Sequence, residues 1–166
     1  MKNTLKIARI LTWFNLIFWG ALIVILLLFA FAVQTFPVIV VLILLSAVPL
    51  NCYASLQLQK SIRYPTIKLS SQTPVGIRFV GFVALFFAIS FICNGVVLIN
   101  NAKEVIKPFR EQIAQVKGAD LSFITETYFR RVGAFVIFLG LCIGVNVVLN
   151  FRLLRWYYLV RQSDVS

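Results

Sequence analysis

Histidine is absent from this sequence, carboxylates number only five, and the three cysteines stand alone. Without histidine, bis-histidine haem ligation, histidine-based zinc sites and Ser-His or Cys-His nucleophilic catalysis are excluded. Cys52, Cys93 and Cys142 each lie inside an apolar segment with no CxxC spacing, so they read as small hydrophobes and not as a dithiol pair. Gly118 is isolated in its segment, which rules out a glycine-rich phosphate loop there. No metal and no cofactor is expected. Charge is also missing over long stretches: no Asp, Glu, Lys or Arg occurs between Arg9 and Lys60, from Phe79 to Ala102, or from Val132 to Phe151.

What remains is apolar. Hydrophobic residues make up 61% of the chain, against roughly 45–50% in soluble domains. A helix needs about 20 apolar residues to cross a hydrocarbon core of about 30 Å. The two shorter charge-free stretches fit one crossing each, and the first, at fifty residues, fits two. The fold class expected is therefore all-α: an integral membrane four-helix bundle in a single domain, residues 1–166. Its spans fall at about 10–33, 37–59, 75–100 and 132–151.

Local signals punctuate these spans. Gln34-Thr35-Phe36-Pro37 closes the first in an uncharged turn, because proline lacks an amide donor and disfavours helix in the residue before it. Asn51, Ser55 and Gln59 share one face of the second span, which exits toward water. Thr73-Pro74 resembles an N-cap followed by proline at the first helical position. Residues 101–131 form the one sizeable polar segment. Ile106, Phe109, Ile113 and Val116 make one helical stripe, and Leu121, Ile124 and Tyr128 make another. Gly118 between them and Asp120 or Ser122 as a cap predict an extramembrane helical hairpin between helices 3 and 4, with Pro108 as a kink point.

Orientation follows from the basic residues. Ten of the sixteen Lys and Arg flank the N-terminus, the second linker and the C-terminus, and the other six lie in the third connection. The positive-inside rule then places both ends in the cytoplasm and the hairpin outside. A rival reading takes Ala30-Phe31-Ala32 as a signal-peptidase site that removes residues 1–32. The apolar run exceeds the usual core of about 7–15 residues, which favours retention.

Two sets of residues stand out within the spans. Gly81, Ala84, Ala88 and Gly95 fall in one narrow sector of the third helix, and Gly133, Gly140 and Gly144 share a side of the fourth; such faces let helix backbones approach closely in lipid. They are read as helix-packing residues, within the bundle or between two copies. Asn51, Ser90, Asn94 and Asn146 form the candidate buried polar cluster, with Asn15 and Asn150 as further polar positions. No ionisable residue lies deep in any span, which disfavours proton-coupled transport. The glutamate on which small multidrug exporters depend has no counterpart.

In layout the chain resembles the uncharacterised four-span proteins of bacterial inner membranes, with a short basic connector from Lys60 to Pro74 and a last helix running into Asn150-Phe151-Arg152-Leu153-Leu154-Arg155. That resemblance implies an inner (plasma) membrane location and assigns no residue a role. The function expected is that of a non-enzymatic membrane interaction or accessory subunit. Its partners would be the lipid bilayer and another membrane protein or a second copy of the chain. The alternative is a passive small-molecule transporter or binder with an asparagine-lined interior. Nucleic acid is not expected, because the basic residues flank apolar segments and do not cluster on a polar domain.

Overall fold

The structure, a computed structural model, describes residues 2–34, 36–64, 66–114 and 125–163. Among these residues the regular structure is helical, with no strand. The helices are α1 Lys2–Val33, α2 Phe36–Leu45, α3 Ala47–Arg63, α4 Gln72–Asn100, α5 Ala102–Ala114 and α6 Glu126–Ser163. Four helical stretches are long and apolar enough to cross a membrane: Asn3–Ala32, Phe36–Arg63, Gln72–Asn100 and Glu126–Val160.

Helix α1 has 32 residues, which at 1.5 Å per residue is about 48 Å and exceeds a hydrocarbon core of about 30 Å. The helix therefore continues through the basic N-terminal flank as well as the apolar run. It stops at Gln34, whose φ of 56° is left-handed and whose amide donates to the Phe31 carbonyl at 3.3 Å. The second expected span is interrupted. Pro49 has no amide to donate to the Leu45 carbonyl, and the chain turns at Ser46 between α2 and α3. There the Ser46 amide reaches the carbonyls of both Leu42 (3.0 Å) and Ile43 (3.2 Å), and its hydroxyl donates to Ile43 at 2.5 Å.

The basic linker begins where Tyr64 leaves helical geometry, its amide still donating to Lys60 at 2.9 Å. Ser61 Oγ donates to the Ile67 carbonyl and closes the turn. Helix α4 starts at Gln72, ahead of the expected Thr73 cap. Pro74 sits inside its first turn, where the missing amide would have had no helical acceptor in any case. Only one residue, Asn101, separates α4 from α5, and its carbonyl accepts from Glu104 (3.0 Å) and Val105 (3.1 Å). Pro108 lies within α5. The end of the first expected hairpin helix at Val116, the Gly118 break, and most of the second helix, with Asp120, Leu121, Ser122 and Ile124, fall outside the described residues. Tyr128 belongs instead to α6, which runs unbroken from Glu126 into the fourth span. The cap of α6 is Thr125, whose Oγ1 accepts from the Tyr128 amide at 3.2 Å.

The contacts group into two compact units, one from Met1–Phe87 with Cys142–Ser166 and the other from Ala88–Leu141. The core of the larger unit is Ala8, Leu58, Ile77, Leu153 and Leu154, with Leu5, Ile62 and Leu149 packed on it. That of the smaller unit is Ala102, Ile106 and Phe129, where the Phe109 ring stands edge-on to Phe129 at 5.4 Å. Beyond these apolar cores, the outward surface is also apolar, unlike that of a water-soluble protein. Leu28, Phe29, Phe79 and Phe86 are 66–72% exposed, while Asn15, Asn51, Asn146 and Asn150 are no more than 1% exposed. Large apolar side chains displayed outward around sequestered amides suit a hydrocarbon solvent.

Candidate functional site

The larger unit holds a polar cluster built by helical spacing. Thr12 and Asn15 lie one turn apart on α1, Cys52 and Gln59 two turns apart on α3, and Asn146 and Asn150 one turn apart on α6. Thr12 Oγ1 sits at the centre. It lies 2.7 Å from both the Ala8 carbonyl and Asn146 Oδ1, either of which can take its single proton. It accepts from Gln59 Nε2 at 3.0 Å and from Asn150 Nδ2 at 3.4 Å. Gln59 Nε2 also donates to Asn150 Oδ1 at 2.9 Å. Asn150 Nδ2 donates to the carbonyl (2.7 Å) and Oδ1 (3.0 Å) of Asn146, and Asn146 Nδ2 reaches Cys52 Sγ at 3.5 Å. Nearby, Asn15 Nδ2 donates to Leu11 (3.0 Å) on its own helix and to the Cys142 carbonyl (3.1 Å) on α6.

Three helices are thus tied by neutral hydrogen bonds, and no carboxylate or amine takes part. Such bonds in a bilayer contribute about 0.6–2 kcal/mol each, and a network that consumes its own donors fixes helix register. Four buried oxygens, Asn15 Oδ1, Asn51 Oδ1, Ser55 Oγ and Gln59 Oε1, have no hydrogen-bond partner among the described residues.

The sequence-derived cluster is corrected by this arrangement. Asn146 belongs to the network. Asn51 is buried, with Oδ1 facing α4, 3.3 Å from where a Cβ on Gly81 would stand. Ser90 is half-buried and Asn94 is exposed, its Nδ2 donating to the Ser90 carbonyl one turn back at 2.8 Å. An amide can meet its needs within its own helix and face outward, so Asn94 is not a buried ligand. Asn150, a further polar position in the sequence, belongs to the network as well, and so do Thr12 and Gln59, which the expected cluster lacks. Gln59 and Asn150 stand where the spans were expected to meet water, yet they are 4% and 0% exposed. The available signal was that all three fall at helical intervals from other polar residues.

The small residues pack α4 against α6 within each unit. In the larger unit a Cβ on Gly81 would lie 2.7 Å from Phe151 Cε1. In the smaller one a Cβ on Gly95 would lie 2.7 Å from the Gly133 carbonyl, on Gly133 2.8 Å from the Gly95 carbonyl, and on Gly140 2.8 Å from the Ala88 carbonyl. Ala84 and Ala88 are buried and Gly144 is half-buried. At Gly81, Gly95, Gly133 and Gly140 these faces are therefore occupied within one chain. Also in the smaller unit, Glu126 bridges Lys103 and Arg130 at 3.9 Å each, both at the surface, where such pairs contribute about 0–1 kcal/mol. Among the described residues no group of His, Cys, Asp or Glu is placed to hold a metal. No family model, curated protein or solved structure matches the chain.

Proposed function

We propose that the chain is a four-span protein of an inner (plasma) membrane, with both termini cytoplasmic, acting as a non-enzymatic interaction or accessory subunit. The observation that carries this reading is the neutral network of Thr12, Gln59, Asn146 and Asn150 inside helices that display large apolar side chains outward. Its amide donors are spent on joining helices, which suits a scaffold. The small-residue faces are filled within the chain at Gly81, Gly95, Gly133 and Gly140, and the surface offered to a protein partner is the polar one of α5 and the start of α6. That surface displays Lys103, Glu104, Lys107, Glu111 and Arg130.

The transporter alternative depended on Asn51, Asn94 and Asn146 lining a cavity. It loses Asn94, which is exposed, and Asn146, which is closed on its neighbours. The test is photo-cross-linking in membranes from probes at Lys107 and Glu111, with a probe at Phe86 as the lipid-facing control. A discrete adduct from the first two and none from Phe86 is expected. No adduct from any position, together with a strictly monomeric purified protein, would end this reading.

A further inference from the structure

The larger unit is electrically lopsided. Its two segments contain ten of the sixteen Lys and Arg but one of the five acids, Asp164. Four of those cations, Lys6 and Arg9 on α1 with Lys60 and Arg63 on α3, line one groove of about 690 Å³, within the roughly 300–1,000 Å³ of small-ligand sites. All four are exposed, and among the described residues no carboxylate pairs with any of them. Four like charges around one concavity repel each other unless a counter-charge fills it. The rest of the lining is amphipathic. Trp13 and Tyr64 suit the headgroup level of a bilayer, and the Arg63 guanidinium lies 5.6 Å from the Tyr64 ring centre. Leu5 and Leu56 add apolar surface, and Gln59 joins the groove wall to the polar network.

We propose that this groove binds the phosphate-bearing headgroup of an anionic phospholipid, the phosphate meeting Lys6, Arg9, Lys60 and Arg63 and the upper acyl chain lying along Leu5, Leu56 and Trp13. Basic residues at a membrane surface recognise anionic headgroups by charge, and arginine adds paired donors to a phosphate. Because Gln59 serves both groove and network, occupancy strengthens the α1–α3–α6 connection. This inference rests on the membrane reading above.

The test is native mass spectrometry of the full chain in detergent, titrated with phosphatidylglycerol, with phosphatidylcholine of the same acyl chains, and with soluble glycerol phosphate. One tightly held phosphatidylglycerol is expected, with a raised unfolding temperature. The Arg9→Gln/Lys60→Gln/Arg63→Gln variant is expected to lose about a hundredfold in affinity, at roughly fivefold per basic residue. A Lys103→Gln/Lys107→Gln/Arg130→Gln variant, matched in charge, is expected to retain it. Equal binding of phosphatidylcholine, an unaffected groove variant, or saturation by glycerol phosphate at the lipid's concentration would overturn the proposal. Should the groove variant not fold, salt dependence decides on the native chain, because binding that is indifferent to high salt is not electrostatic. Carbonate extraction separates the two readings: a chain that stays in the membrane pellet but shows no anionic preference loses only this site.

Discussion

Asn146 shows what a single amide does in this protein. Its Oδ1 receives Asn150 Nδ2 at 3.0 Å and lies 2.7 Å from Thr12 Oγ1, and the residue is 1% exposed. Asn146→Leu strands those groups, and an unmet buried polar group costs about 1–3 kcal/mol. Asn94→Leu, at an exposed position, is expected to stay within about 0.5 kcal/mol. Unfolding in mixed micelles compares the two, and equal losses would mean that the network is not a clamp. The glycines divide in the same way. A Cβ at Gly133 meets the Gly95 carbonyl at 2.8 Å, whereas Gly20 and Gly76 have nothing within 4 Å. Gly133→Ala is therefore expected to lose roughly 1–3 kcal/mol, and Gly20→Ala to gain up to about 1 kcal/mol from helix propensity. The same unfolding assay reads both.

Among the elements, α6 departs furthest from expectation. Its 38 residues make about 57 Å at 1.5 Å per residue, so the helix continues past the charge-free stretch 132–151 at both ends. Its N-terminal turn depends on Thr125, the acceptor for the Tyr128 amide. Thr125→Ala removes a cap contributing about 0.5–2 kcal/mol. Faster hydrogen exchange at Thr127, Tyr128 and Phe129 is expected, with Ile143 to Val147 unchanged and Thr125→Ser close to the native chain. Exchange that rises evenly along α6 would instead mean that the first turn is coupled to the whole helix. Helix α5 is held differently, by Ala102 and Ile106 on Phe129, and its charges take the solvent side.

For the whole molecule, orientation decides which compartment each surface meets. Ten cations accompany the termini and the Lys60–Arg78 region, against six in the third connection, and the positive-inside rule reads that imbalance as cytoplasmic termini. In a cysteine-free background, a lone cysteine at exposed Lys107 is expected to react with an impermeant maleimide in intact cells. One at exposed Lys68 is expected to react only after permeabilisation. The reverse result would exchange the compartments expected for the α5 surface and for the basic groove.

The sequence by itself determined that the chain is helical with four stretches fit to cross a membrane, because charge-free runs of about 20 residues have few other solutions. It also exposed the small-residue sectors, since helical period follows directly from spacing. Tertiary structure alone decided which polar residues converge. Thr12 is a lone hydroxyl in an apolar run and so looks inert in sequence, yet it is the centre of the network. Asn94 has the i, i+4 spacing that made it a candidate, but it faces outward. Spacing places a residue on a face of its own helix; the rotation of that helix about its axis is set by neighbours far away in sequence, and their packing selects which face is buried.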